Sequence, residues 1–210
     1  MPVYNDIIRK QTENEDENKM NSFYALLFRQ KYITRWGLMR SVTRETLAEH
    51  TAEAAVIAHA LAVIGNTVYG KSYDPERVAA IALFHDAAEV FTGDLPTPIK
   101  YFSPETKRDY SEIERHSIER MLSKLPPELR PTYEQLLTPT EADAESVKLV
   151  KIADKLCAYI KCLTEEAAGN REFTAARKST EAILDGIDSD ELRYFRENML
   201  EAFSYSLDEL

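Results

Sequence analysis

Hydrophobic residues along most of the chain recur every three or four positions, the spacing of an amphipathic α-helix. The pattern predicts a short helix from Ser22 and a second over roughly 46–64 that ends at Gly65-Asn66. A third begins with Asp74 as N-cap and Pro75 as its first residue. Further helices are predicted over 103–124, 126–137 and 144–168, with one or two more over 173–204. No segment gives a convincing strand, so the sequence predicts an all-α fold.

The third predicted helix carries ionisable groups on the face that should be buried. The residues on this face are Val78, Ile81, Ala82, His85 and Glu89. Asp86 lies about 100° around the helix from His85, and the helix is predicted to end at Thr92-Gly93. Burying an imidazole and carboxylates costs several kcal/mol unless something pairs with them. These groups therefore either cap the loop that follows or hold a charged ligand.

Two other apolar helices carry groups of the same chemistry. Asp154 lies on the apolar face of the predicted helix over 144–168, and His50 lies near the start of the second helix. Imidazole nitrogens and carboxylate oxygens suit Zn, Mn, Fe or Co. Together with His85 and Asp86 they could hold one divalent ion and leave positions open for water and substrate. Taken singly, His50 could be a hydrogen-bonded core histidine and Asp154 a buried ion-pair partner.

Length and charge narrow the classes of function. The 210 residues suit a single domain over 21–210, preceded by a polar, acidic segment over 1–20 that predicts a flexible tail. The net charge is −10 and no Lys/Arg cluster is present, so a polymeric nucleic acid is not expected as partner. Two unpaired cysteines and no signal peptide predict a cytoplasmic protein. No uninterrupted apolar run approaches about 18 residues, so no membrane partner is expected.

The order and spacing of His50, His85-Asp86 and Asp154 resemble the H…HD…D signature of the HD-domain metal-dependent phosphohydrolases. Three longer segments, "RWGLMRSV…E.LAEH" (residues 35–50), "FHDAAEVFTGDLPTPIKYF" and "IADKLCAYIKCLTEEAAGN", and the terminal "SYSLDEL" are similar to the bacterial 5′-deoxynucleotidases of the YfbR type. The resemblance covers about 23–210. It implies an HD-domain helical bundle and a homodimer. It also implies a phosphoric monoester hydrolase that converts deoxyribonucleoside 5′-monophosphates to deoxynucleoside and phosphate.

The resemblance also assigns roles to individual residues. The implied ligands of one divalent ion (Co, Mn, Zn, Fe or similar) are His50, His85, Asp86 and Asp154. Glu89 would assist water attack and Arg35 would bind the 5′-phosphate. Trp36 would lie against the sugar, where its bulk would clash with a ribose 2′-hydroxyl. The loop residues implied in nucleotide contact are Asp94, Leu95, Pro96 and Thr97, with Asp94 also implied in catalysis.

Alternatives remain for the loop residues and for the reaction. Without the resemblance, Arg35 could be a surface cation and Trp36 a core aromatic. Gly37 stands where the family often has proline, and glycine loosens the backbone beside Trp36, so the strictness of sugar selectivity stays open.

The chain could instead be an HD phosphohydrolase acting on a nucleoside triphosphate, a cyclic nucleotide or an alarmone. Such a substrate would need more cations than Arg35 and the more distant Lys100. A non-catalytic nucleotide sensor is a further alternative. Sensors of that kind typically lose ligands or the water-activating acid, and here all four ligands and Glu89 are present.

Overall fold

The structure, a computed structural model, describes residues 21–100 and 102–210, with the side chains of Thr97 and Pro98 excepted. The predicted acidic tail over 1–20 lies outside this part of the chain.

Within the described residues the chain forms ten α-helices and no strand. They are α1 (Phe23–Leu27), α2 (Leu47–Tyr69), α3 (Pro75–Phe84), α4 (Glu89–Thr92), α5 (Thr97–Lys100), α6 (Pro104–Leu122), α7 (Arg130–Leu137), α8 (Ala144–Ala167), α9 (Thr174–Asp185) and α10 (Asp190–Asn198). Short 3₁₀ helices cover Phe28–Tyr32, Glu141–Asp143, Arg171–Phe173, Leu200–Ser204 and Leu207–Glu209. An isolated antiparallel bridge joins Thr34 to Thr46. The prediction of an all-α fold is confirmed.

Two hydrophobic clusters hold the helices together. In the larger one, α2, α3 and α8 pack against one another, with α9 and α10 closing its outer side. Leu61 of α2, Val78 of α3 and Leu156 of α8 are fully buried at its centre. The smaller cluster joins α1 to α6 and α7 through Phe23 and Met121. Of the predicted ionisable groups, His50 and Asp154 lie on α2 and α8, and His85 and Asp86 come directly after α3.

Helix α2 is longer than predicted. It continues through Gly65 and Asn66 to Tyr69 and ends at Gly70, whose φ is 65°. The side chain of Asn66 accepts a hydrogen bond from the Tyr73 amide (2.7 Å) and donates one to the Tyr73 carbonyl (3.0 Å). Gly65 leaves space for the Tyr73 ring, which lies where a Cβ atom would be. The predicted stop at Gly65-Asn66 was wrong because both residues serve packing inside the helix.

Helix α3 is shorter than predicted. Its caps at Asp74 and Pro75 are as expected, but the helix ends at Phe84 instead of running to Thr92. Hydrogen bonds of the i to i+3 type follow, including Ala87 N to Phe84 O (3.1 Å) and Glu89 N to Asp86 O (3.1 Å). The helical register is lost between α3 and α4, so the 100° angle expected between His85 and Asp86 does not apply.

The remaining boundaries differ little from the sequence prediction. Ser103 caps α6, and α8 covers almost the predicted range. Helix α7 begins at Arg130 instead of 126, and residues 127–129 form a turn before it.

Helix α2 has the length and apolar composition of a membrane-spanning helix, although its sequence contains no long uninterrupted apolar run. Its inner face is covered by α3, α8 and α10. This is the setting of a core helix, in which apolar composition reflects contact with neighbouring helices.

We predict that Gly65→Ala destabilises the protein. The added Cβ would lie 2.4 Å from Cε2 of Tyr73, whose hydroxyl is anchored on Glu191. Overpacking of this kind costs about 1–3 kcal/mol of unfolding free energy. Chemical denaturation measures the change. Gly186→Ala is the matched control because its Cβ would meet only ordinary contacts, and equal stability of the two variants would contradict the packing role of Gly65.

Candidate metal centre

The four side chains predicted as metal ligands converge at the centre of the bundle. His50 comes from the first turn of α2, His85 and Asp86 follow α3, and Asp154 lies midway along α8. Nε2 of His50 is 3.5 Å from Oδ2 of Asp86 and 3.3 Å from Oδ1 of Asp154. Nε2 of His85 is 3.0 Å from Oδ2 of Asp86. Residues from three separate helical segments thus face one small volume.

The chemistry of this cluster fits a divalent cation. One ligand atom each from His50, His85 and Asp86 lie within 4.8 Å of one another. Among the described residues, Nε2 of His50 and Nε2 of His85 are buried without a hydrogen-bond partner. Buried polar atoms are nearly always partnered, so two such imidazole nitrogens beside two carboxylates are atoms that an ion would satisfy.

A hydrogen bond to the backbone fixes the orientation of the His85 ring. Its Nδ1 lies 2.6 Å from the carbonyl oxygen of Ala82 and donates to it. A histidine that donates from one nitrogen presents the lone pair of the other, and metal-binding histidines are commonly held this way. Nε2 of His85 is therefore the nitrogen available to an ion.

Charge–charge contacts keep the carboxylates ionised. Burial would raise the pKa of Asp86 and of Asp154, but His85 and His50 hold that of Asp86 below its usual range. His50, Lys155 and His85 do the same for Asp154, whose Oδ2 lies 3.0 Å from Nζ of Lys155. Burial would lower the pKa of His85, but the negative charge of Asp86, whose Oδ2 lies 3.0 Å from Nε2, outweighs it and raises that pKa to about 9. When no ion is bound, a proton on His85 thus supplies the positive charge that balances the carboxylates.

Glu89 lies at the start of α4, buried beside this centre. Burial, followed by the charges of Asp86 and Asp94, raises the pKa of Glu89 to about 8. Its Oε2 has no hydrogen-bond partner within the described part of the chain. Glu89 is therefore a carboxylate that can exchange a proton near neutral pH.

Arg35 lies in the segment before α2, where its guanidinium bonds the carboxylate of Glu45. Burial would lower the pKa of Arg35, but Glu45, Asp154 and Asp86 raise it, so it stays charged. Oε1 of the same Glu45 lies 3.7 Å from Nδ1 of His50, which places Arg35 next to the candidate metal centre. Arg35 is nearly buried, so the alternative of a surface cation is excluded.

Trp36 is held at both its backbone and its ring. Its backbone amide donates to Oδ2 of Asp94 (3.2 Å), and its indole donates to Oε2 of Glu45 (3.1 Å). The ring also lies 5.3 Å from that of Phe173. Its φ of 59° is unusual for a residue other than glycine and costs roughly 1–3 kcal/mol. These contacts stabilise Trp36 in that conformation, with Gly37 as its neighbour.

The other predicted loop residues are less closely connected to the centre. Leu95 and Pro96 are half-buried between α4 and α5, and the side chain of Thr97 lies outside the described residues. Lys100 donates to Glu114 of α6 (2.9 Å), and its ammonium lies 4.4 Å from the centroid of the Tyr110 ring.

Glu45 is a site residue to which neither the hydrophobic pattern nor the resemblance assigned a role. It is buried, binds both Arg35 and Trp36, and has Oε1 3.7 Å from Nδ1 of His50. Charged residues are almost never buried without a partner, so its burial marks it as part of the site. In the sequence it lies in a polar segment five residues before His50, with no pattern that separates it from a solvated glutamate.

The model of the YfbR-like 5′-deoxynucleotidase family matches residues 22–203. The chain belongs to this family. A 5′-deoxynucleotidase from Vibrio cholerae is 46% identical over 188 residues, which cover 90% of this chain and 97% of that protein. The 5′-deoxynucleotidase YfbR from Escherichia coli is 45% identical over 192 residues, 91% of this chain and 96% of the relative.

Solved structures identify the fold of this YfbR-like protein. An HD-domain phosphohydrolase from Listeria innocua superposes with a TM-score of 0.74 at 23% identity, over 87% of this chain and 88% of that one. The cyanophage S-2L HD phosphohydrolase DatZ, whose structure holds dA and one catalytic Zn²⁺ ion, gives a TM-score of 0.56 at 21% identity. That match covers 84% of this chain and 95% of DatZ. The predicted HD-domain helical bundle is confirmed.

We predict that affinity for a divalent ion rises with pH. Below a pKa of about 9 His85 carries a proton in the ion-free protein, and an ion must displace it. One displaced proton makes the affinity about tenfold higher per pH unit until that pKa is reached. Calorimetric titration with Mn²⁺ or Zn²⁺ at several pH values measures this. His59→Gln, an exposed histidine on the same helix as His50, is the control and should keep the slope. A flat profile for the unaltered protein would contradict the role of His85.

Proposed function

We propose that this protein is a metal-dependent 5′-nucleotidase that hydrolyses deoxyribonucleoside 5′-monophosphates to deoxynucleoside and phosphate. The observation that carries the proposal is the convergence of His50, His85, Asp86 and Asp154 beside a buried arginine. Relatives with about 45% identity along nearly the whole chain are named 5′-deoxynucleotidases. The dA bound to DatZ supports a deoxynucleoside ligand on this fold.

Four residues would hold one divalent ion, namely His50, His85, Asp86 and Asp154. A bound ion of this kind neutralises phosphate charge and makes water a stronger nucleophile. Nitrogen and oxygen donors in this proportion suit Zn, Mn, Fe or Co, and the ligand types do not select among them.

Arg35 would bind the 5′-phosphate. A guanidinium offers five N–H donors in a planar fork that matches phosphate oxygens. Glu45 accepts from Nη1 and thereby fixes the plane of the group, while the other donors remain for the substrate. Phosphoryl transfer depends mainly on positioning and charge stabilisation, and Arg35 supplies both.

Glu89 would act as the general base that takes a proton from the attacking water. A base works best when its pKa lies near the working pH, and burial beside Asp86 and Asp94 shifts Glu89 in that direction. Asp94 would act mainly through Trp36, whose backbone amide it accepts from. Leu95, Pro96 and Thr97 would complete the nucleotide-binding loop.

Trp36 would exclude ribonucleotides by occupying the space beside C2′ of the sugar. Steric exclusion works only if the excluding group cannot move away. The hydrogen bonds to Glu45 and Asp94 give the indole that fixed position, in spite of the neighbouring Gly37.

A substrate with a longer phosphate chain is less well supported. Lys100, the second candidate cation, is bonded to Glu114 and packed on Tyr110.

We further propose, on the family resemblance, that the protein is a cytoplasmic homodimer. Sedimentation analysis tests the dimer, and chromatographic product analysis separates a monophosphatase from a triphosphohydrolase.

We predict that Glu89→Gln lowers kcat by about 10²–10⁴-fold with dAMP, because a general base contributes on that scale. The variant should retain its bound metal, measured by elemental analysis after chelation and reloading. Glu119→Gln, an exposed glutamate paired with Arg115, is the control and should keep full activity. Unchanged turnover in Glu89→Gln would show that another group activates the water.

We predict that Trp36→Ala lowers the ratio of kcat/KM for dAMP to that for AMP by at least about tenfold, because removing the ring opens space for a 2′-hydroxyl. Initial rates with both nucleotides, after metal reloading, give the ratio. Phe28→Ala removes an exposed aromatic ring and should leave the ratio as it was. A ratio that stays high in Trp36→Ala would exclude the indole as the selective group.

A further inference from the structure

Helix α8 carries a buried ion pair on the same face as Asp154. Lys161 and Glu165 follow it by about two and three helical turns, which places all three side chains on one face. Glu165 is 1% exposed and Lys161 is 9% exposed, and they form an ion pair. Neither residue has a part in the reaction proposed above, although burying such a pair is costly.

The ion pair binds the backbone of the segment that leads into α2. Oε2 of Glu165 accepts from the amide of Val42 (2.7 Å), and Oε1 accepts from the amide of Thr43 (3.1 Å). Lys161 donates both to Glu165 and to the carbonyl oxygen of Thr43. Asn170, just after α8, donates to Glu165 (2.7 Å) and to the carbonyl oxygen of Arg40 (2.7 Å). We call Lys161, Glu165 and Asn170 the clamp.

The clamped segment has no regular secondary structure over residues 39–45. Backbone groups of such a segment need partners wherever they leave water, and here the clamp supplies them. The segment continues directly to Glu45, which bonds the Arg35 guanidinium and the Trp36 indole. At the end of the segment nearest α2, two backbone hydrogen bonds hold it against residues 33–35. They run from Arg35 N to Glu45 O (3.0 Å) and from Leu47 N to Ile33 O (2.9 Å).

A ring contact joins the clamp to Trp36 by a second route. Phe173 follows Asn170 and is fully buried. The ammonium of Lys161 lies 5.7 Å from the centroid of its ring, and the Trp36 ring lies 5.3 Å away. Trp36 is thus connected to the same end of α8 through Glu45 and through Phe173.

We propose that the clamp is a positioning device for substrate selection. Glu165, with Lys161 and Asn170, fixes the segment over 40–43 on α8. Because α8 also carries Asp154, this holds Arg35 and Trp36 at a fixed distance from the metal centre. The proposal rests on the proposed function for the identity of the substrate. The clamp acts through Arg35 and Trp36 and touches neither the ion site nor the reacting atoms.

The test uses the protein's single tryptophan as a reporter of its own position. Glu165→Gln keeps the size of the side chain but offers only one acceptor oxygen to donors that use two. We expect easier quenching of Trp36 fluorescence by acrylamide and a KM for dAMP raised about tenfold, the scale of one lost charge-assisted hydrogen bond. The preference for dAMP over AMP should fall, while kcat for dAMP and the bound metal per chain change little.

Glu145→Gln is the matched control, since it makes the same change on the same helix in an exposed pair with Lys148. It should leave fluorescence quenching and KM as in the unaltered protein. If Glu165→Gln does not fold, the double variant Lys161→Met with Glu165→Leu removes both charges together and still lacks acceptors for the two amides. That variant should show the same change in quenching.

Two results would overturn the proposal. One is quenching and KM in Glu165→Gln equal to those of the Glu145→Gln control. The other is loss of bound metal in Glu165→Gln, which would show that Glu165 supports the whole site and not the position of Trp36. If the unaltered protein did not hydrolyse deoxynucleotides, the proposed function would fail, and the fluorescence and metal measurements would still decide whether the clamp positions Trp36.

Discussion

Two imidazoles and two carboxylates packed against one another, with His50 fully buried and the other three half-buried, are the constraint on which the rest of the structure depends. An isolated charge in such a place costs several kcal/mol, so each group needs the others or an ion between them. His50, Asp86 and Asp154 come from three segments, and they meet only if α2, α3 and α8 pack as they do. The apolar contacts of these three helices therefore build the core and the candidate site in one step.

The helical half of the site could be predicted from the sequence because its signals are local. Helical spacing placed Asp154 on a core-facing position, and the caps at Asp74 and Ser103 marked where helices begin. The end of α2 was predicted wrongly because a side-chain contact outside the helix decided it. Gly65 reads as a helix stop, but the Tyr73 ring occupies the space beside it. The end of α3 at Phe84 could not be predicted because no glycine or proline stands there.

The loop half of the site could not be predicted without a resemblance, because its contacts join residues far apart in the chain. Trp36 takes a positive φ that local sequence does not favour, and Asp94, 58 residues later, bonds its amide. Glu45 looks like any solvated glutamate until its burial is known. Glu165 and Lys161 show only helical spacing in the sequence, whereas their partners lie more than 100 residues earlier.

The charge of the whole protein disfavours an anionic substrate, and the arrangement around Arg35 overcomes this locally. The net charge is −10, so the long-range field repels a phosphate dianion. Inside the site, however, the guanidinium is buried and paired with Glu45 through one nitrogen, which lowers its desolvation cost and leaves further donors for phosphate. Short-range contacts with a largely buried guanidinium outweigh a field that salt screens beyond about 10 Å. Binding then depends on the exact placement of this arginine, and hence on the segment that holds Glu45.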